Sequence, residues 1–191
     1  MTFDFHTHNQ TATPGTAIVN LPLDVVADPA RFSPVCGALY SAGIHPWWTD
    51  DEIAKIDGFI GNLHTLLQHP QVVRLGECGL DKLRGASLER QIEIFRRQIA
   101  LSEAHRKPVT LHCVKAYDVL LCLHKEWKVT QNWTVHGFRG RPALARQLLD
   151  AGIDLSFGCK YDPQSWRLTP PERRHLESDE GQLPPSPDNM D

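Results

Sequence analysis

The chain has 191 residues, 41% hydrophobic and 23% charged, with a net charge of −3; this suits one soluble domain with its own core and excludes a disordered chain. A negative balance excludes nucleic-acid binding by bulk charge, and no apolar run approaches the ~20 residues of a membrane span. Neither the opening Met1-Thr2-Phe3-Asp4-Phe5-His6, which lacks the basic start and apolar core of a signal peptide, nor the five widely spaced cysteines (Cys36, Cys78, Cys113, Cys122 and Cys159) suit an exported disulfide scaffold, so a cytoplasmic setting away from membranes is expected.

Taken in order, the first expected strand is Thr2–Phe5, running into His6-Thr7-His8. A second covers Ala17–Leu21 inside Thr11–Pro34, where four prolines predict short, irregular connections. A third strand is Ala38–Ile44. Between Asp51 and Leu67, Ile53, Ile56, Ile60, Leu63 and Leu67 recur every three or four residues, the stripe of an amphipathic helix. The strand Val72–Leu75 follows. Ser87 is a favourable N-cap for a helix with the stripe Leu88, Ile92, Phe95 and Ile99, ending before Pro108. Next come a strand Pro108–Leu111, a helix Ala116–Trp127 and a strand Trp133–Val135. A helix then begins near Pro142 and stops at Gly152, both favourable end residues. Ile153–Ser156 and the short His175–Glu177 complete eight strand candidates. Gly181–Asp191, with three prolines and no stripe, reads as an extended tail.

This alternation of strand and helix predicts an α/β fold with a parallel sheet, and eight strands predict a TIM-type (β/α) barrel over residues 1–180, followed by a tail over 181–191. Such a barrel ordinarily takes about 250 residues. The expected barrel is therefore short and lacks the final helix, through trimming or because the sequence is a fragment. Apolar surface should then lie open near the first and last strands unless a partner, such as a second copy of the chain, covers it.

Ligand-type residues gather at the expected strand ends. His6 and His8 are two apart, so in a strand both imidazoles point to one side. Glu77 and Asp81 follow the fourth strand, His112 the fifth, His136 the sixth, and Glu177 and Asp179 the last. In a parallel barrel these ends share one mouth, and mixed imidazole and carboxylate donors suit Zn²⁺, Mn²⁺, Co²⁺ or Mg²⁺.

Six segments in this order resemble the signature segments of TatD-related deoxyribonucleases. They are Asp4-Phe5-His6-Thr7-His8, Gly43-Ile44-His45-Pro46, Gly76-Glu77-Cys78-Gly79-Leu80-Asp81, Pro108-Val109-Thr110-Leu111-His112, His136-Gly137-Phe138-Arg139-Gly140 and Leu176-Glu177-Ser178-Asp179. Glu89–Gln98 is similar to the family's helix between its Glu and His segments. The resemblance implies an amidohydrolase-like barrel with two divalent metal ions (Zn, Mg, Mn or Co). By it His6, His8 and Asp179 hold one ion, His112 and His136 the other, and Glu77 bridges them. A metal-activated water attacks a phosphodiester of DNA or of a small ester, with Asp179 as general base; Glu77 and Asp179 are thus the catalytic candidates. His45 and Asp81 match positions near the substrate. Lys115 stands near the family's usual arginine, and Arg139 and Arg141 beside His136 are further phosphate partners. The compressed stretch between His136 and Asp179 departs from the family and leaves the substrate open. A hydrolase of a small amide, lactone or phosphoester would use the same site. A non-catalytic metal-containing binding module, with Trp47 and Trp48 as its partner patch, is the other alternative.

Overall fold

Residues 2–50 and 53–185 are described by a computed structural model. All eight expected strands form: β1 (Asp4–Thr7), β2 (Ala17–Asn20), β3 (Leu39–Ala42), β4 (Val72–Asp81), β5 (Val109–Val114), β6 (Trp133–Val135), β7 (Asp154–Phe157) and β8 (Arg174–Leu176). They pair in sequence order and every pair is parallel. Beyond β8, Asp179 bridges to Thr7 of β1 in parallel, nearly closing the barrel. Ser178 helps to tie this seam: its hydroxyl donates to Asp4 Oδ2 at 2.6 Å and its backbone N–H to Asp4 Oδ1 at 2.9 Å.

The helices follow the apolar stripes. In α2 (Ile53–Leu67) the buried residues include Ile56, Phe59, Leu63, Leu66 and Leu67, with Ile60 at the edge of the core; the Ile53 side chain lies outside the described residues. Helix α3 (Leu88–His105) starts at Ser87, whose hydroxyl accepts from the Arg90 N–H, and ends at Arg106 in the left-handed region before Pro108. Phe95 of this helix is fully buried against Trp133, ring centroids 5.3 Å apart, a burial that contributes roughly 1.5–3 kcal/mol. Helices α4 (Tyr117–Trp127) and α5 (Pro142–Asp150) stand where the sequence puts them. Two helices escaped the periodicity because they are too short to carry a stripe: α1 (Leu23–Ala27) and α6 (Pro163–Leu168). The second is set by Pro163 in its first turn and by Asp162, whose carboxylate accepts from two backbone N–H groups.

Among the described residues no helix follows β8. Residues 181–185 carry neither helix nor strand, and the rest of the expected tail lies outside the described residues. Near β1 and β8, Phe3 is 42% exposed beside a cavity of about 270 Å³ also lined by Phe5, Trp166 and Leu176. No described helix is long and apolar enough to cross a membrane.

Several strand boundaries move, among them the end of β5, which runs on to Val114. Strand β1 begins two residues later than expected, and β4 continues to Asp81 rather than stopping at Leu75. The sequence Gly76-Glu77-Cys78-Gly79 reads as a turn, yet the glycines let β5 come close. Gly79 has φ +137°, and a Cβ there would strike the His112 carbonyl oxygen. Gly79→Ala should therefore lose roughly 1–3 kcal/mol from backbone strain alone and displace His112 from the barrel mouth. A denaturation midpoint and a metal affinity both equal to wild type would contradict this.

Candidate metal centre

Glu77 sits near the middle of β4, 3% exposed, and its two oxygens face different imidazoles. Oε2 lies 3.2 Å from His8 Nε2 and 3.4 Å from His6 Nε2. Oε1 lies 2.7 Å from both His112 Nδ1 and His136 Nε2, and 3.1 Å from His45 Nε2. His6 belongs to β1 and His112 to β5, while His136 directly follows β6. Asp179 reaches the group from the segment after β8, its Oδ1 3.6 Å from His8 Nε2 and 3.9 Å from His6 Nε2. All six residues read from the sequence as ligands thus meet at one mouth; five of them line a cavity of about 290 Å³ together with Trp47, Trp48 and Glu180, and His6 lies buried behind it.

The electrostatics follow from this crowding. Burial alone would raise the Glu77 carboxyl, but the surrounding imidazoles, His136 foremost, hold it well below the usual carboxylate range. Burial opposes a charge on His136, yet the Glu77 and Glu177 carboxylates push it well above the ordinary histidine value. His8 is raised chiefly by its hydrogen bond to Glu77, whereas burial lowers His45.

The donor set fits divalent metal. His6 is 1% exposed, and neither of its ring nitrogens has a hydrogen-bond partner. A buried polar group left unpaired costs about 1–3 kcal/mol, and a cation at Nε2 answers that need. Among the described residues, three groups have donor atoms within 4.8 Å of one another: His6, His8 and Glu77; His6, His136 and Asp179; His45, Glu77 and His112. The geometry therefore brings His45, read from the sequence only as a substrate neighbour, up to the Glu77 carboxylate.

The other expected substrate contacts divide. Asp81 is buried, its Oδ2 3.2 Å from His112 Nε2, so it orients that imidazole from behind. Lys115 and Arg139 are exposed and are not among the cavity-lining residues. Lys115 stands just past β5 in the left-handed region, φ +55°.

Asn20, Gln91 and Gln98 have no assigned role in the sequence reading, and Glu177 stands there only among the ligand-type residues at strand ends. Asn20, ending β2, accepts from the Glu77 N–H at 2.7 Å. Gln98 brackets Ile44, the residue before His45, by bonds to both its N–H and its carbonyl. Gln91 does the same for Asp81. Glu177, fully buried, accepts from the Gly137 N–H at 2.7 Å, with its Oε1 3.2 Å from His136 Nδ1. The available signal was two glutamines seven residues apart on one face of α3, a helical spacing that placed them towards the barrel.

Comparison with known proteins agrees with this architecture. The family described as "TatD related DNase" matches residues 35–189. A protein named 3'-5' ssDNA/RNA exonuclease TatD from Klebsiella pneumoniae is 35% identical over 119 residues, which are 61% of this chain and 44% of that protein. Its namesake from a Rahnella species is 36% identical over 139 residues, 72% of this chain and 49% of the relative. The chain thus spans less than half the length of these curated relatives. The crystal structure of a TatD homologue from Escherichia coli superposes with a TM-score of 0.74 at 22% identity, covering 92% of this chain and 78% of that one. A TatD-family hydrolase from Entamoeba histolytica gives 0.69 at 18% identity, over 94% and 73% of the two chains. The match over residues 35–189, together with the barrel, establishes that the chain belongs to the TatD-related DNase family.

Proposed function

We propose that this chain is a metal-dependent phosphodiesterase that trims single-stranded DNA or RNA. The observation that carries the reading is Glu77 standing between two pairs of imidazoles, one oxygen towards His6 and His8, the other towards His112 and His136. His6, His8 and Asp179 would hold one divalent ion and His112 and His136 a second, with Glu77 shared. His45 stands close enough to Glu77 to assist. Zinc, manganese, cobalt and magnesium all remain compatible with this donor set. Bound divalent ions make a water more acidic and neutralise charge that develops on phosphoryl oxygens.

The chain's own groups supply the rest. Asp179, its side chain 36% exposed at the edge of the cluster, accepts the proton of the attacking water at its carboxylate. Asp81 and Glu177 hold His112 and His136 in their rotamers through the ring nitrogen turned away from Glu77. Lys115 and Arg139, outside the cavity, contact phosphates farther along the strand. The five unpaired thiols agree with a cytoplasmic setting.

The test is metal analysis of the purified protein, followed by hydrolysis of single-stranded DNA, duplex DNA, RNA, phosphomonoesters, lactones and amides, with and without chelator. Single-stranded oligonucleotides should be cut, chelation should abolish cutting, and added divalent metal should restore it. A metal-loaded protein that cuts only the amide or lactone would overturn the substrate class. One that cuts nothing would favour a binding module.

A further inference from the structure

The rim of the cavity carries a pair of side chains that metal binding leaves unused. Trp47 lies in the 3₁₀ turn Pro46–Trp48 and is 42% exposed, although its ring centroid is only 5.7 Å from that of His112. The indole is held from several directions. Its Nε1–H donates to Asp81 Oδ2 at 2.7 Å, its backbone N–H donates to His45 Nδ1 at 3.1 Å, and the Arg84 guanidinium lies over the ring at 4.1 Å. Arg84 is exposed, and among the described residues no carboxylate forms an ion pair with it. Leu83 beside it is 69% exposed. A fixed, partly exposed indole, covered on one face by a guanidinium that has no carboxylate partner among the described residues, thus stands next to the cluster that gathers Glu77.

We infer that Trp47 and Arg84 form a clamp for the unpaired end of a nucleic-acid strand, the indole stacking on a base and the guanidinium engaging a neighbouring phosphate. This rests on the phosphodiesterase reading and assigns its substrate-positioning residues. The chemistry favours a nucleotide over a protein partner because a base offers a flat π face and a phosphate takes up the cation. Only an unpaired base has a free face, so the clamp selects single strands. It also explains how a chain of net charge −3 binds a polyanion: stacking supplies what bulk charge does not. Because Asp81 joins the indole to His112, a stacked base also steadies that imidazole.

The probe is a fluorescein-labelled thymidine oligonucleotide and its abasic counterpart of equal length, followed by anisotropy with chelator present so that nothing is cut. Wild type should bind the base-bearing strand more tightly. Trp47→Ala should weaken that strand about 5- to 100-fold and leave the abasic strand nearly unchanged. Trp47→Phe keeps a ring face but loses the bond to Asp81, and should retain most of the preference. Arg84→Ala should weaken both strands and flatten the dependence on salt. Circular dichroism checks that each variant is folded. A Trp47→Ala protein that keeps the full base preference, or loses both strands equally, overturns the clamp even if the enzyme cuts DNA. A base preference that Trp47→Ala abolishes, in a protein that cuts no phosphodiester when loaded with metal, upholds the clamp and overturns the nuclease reading instead.

Discussion

Glu77→Gln is expected to bind divalent metal roughly 100-fold or more weakly than wild type, at the upper end of what is lost when a mere orienting partner is removed. Two effects add. The amide has no negative charge to offset cations in a site that is 3% exposed. It also replaces one oxygen by an NH₂ group, so either the His6 and His8 side or the His112 and His136 side faces a donor instead of a lone pair. The side chain keeps its shape, and the Glu77 N–H can still donate to Asn20 Oδ1, so the barrel should form. Metal titration by calorimetry, with elemental analysis after dialysis, measures the effect. Wild-type affinity and stoichiometry would remove Glu77 from the bridging position.

Asp179→Asn should separate metal binding from turnover. Four histidines and Glu77 remain, so most of the metal should stay. The hydrolysis rate should nevertheless fall about 10²–10⁴-fold, the usual loss with a general base. The substitution is structurally mild. Asp179 has φ +54°, a conformation that asparagine tolerates better than most residues. The backbone bonds that nearly close the barrel, His8 N–H to the Asp179 carbonyl and Asp179 N–H to the His6 carbonyl, do not involve the side chain. Rates and metal content measured on the same preparation decide the matter. Full activity would show that Asp179 is not the base, and a parallel loss of metal would show that it acts mainly as a ligand.

Much of this was legible in the amino-acid order because it depends on local periodicity. A two-residue repeat puts His6 and His8 on one side of a strand, a stripe at three and four marks α2 and α3, and the strand–helix alternation implies a parallel barrel whose strand ends share one mouth. Candidate ligand residues, set after strand after strand, were therefore legible in the amino-acid order. Other features depend on residues distant in the chain. The continuation of β4 through Glu77 to Asp81 needs β5 pressed against Gly76 and Gly79, so a segment that reads as a turn becomes strand. The place of His45 at the Glu77 carboxylate depends on Gln98, more than fifty residues away, bonding both polar groups of Ile44. Asn20 and Glu177 likewise act on Glu77 and His136 across the barrel. Periodicity determines which face of each element turns inward. Only the curling of eight strands into one nearly closed barrel decides which inward groups come within hydrogen-bonding distance, because those contacts join positions whose separation no local pattern encodes.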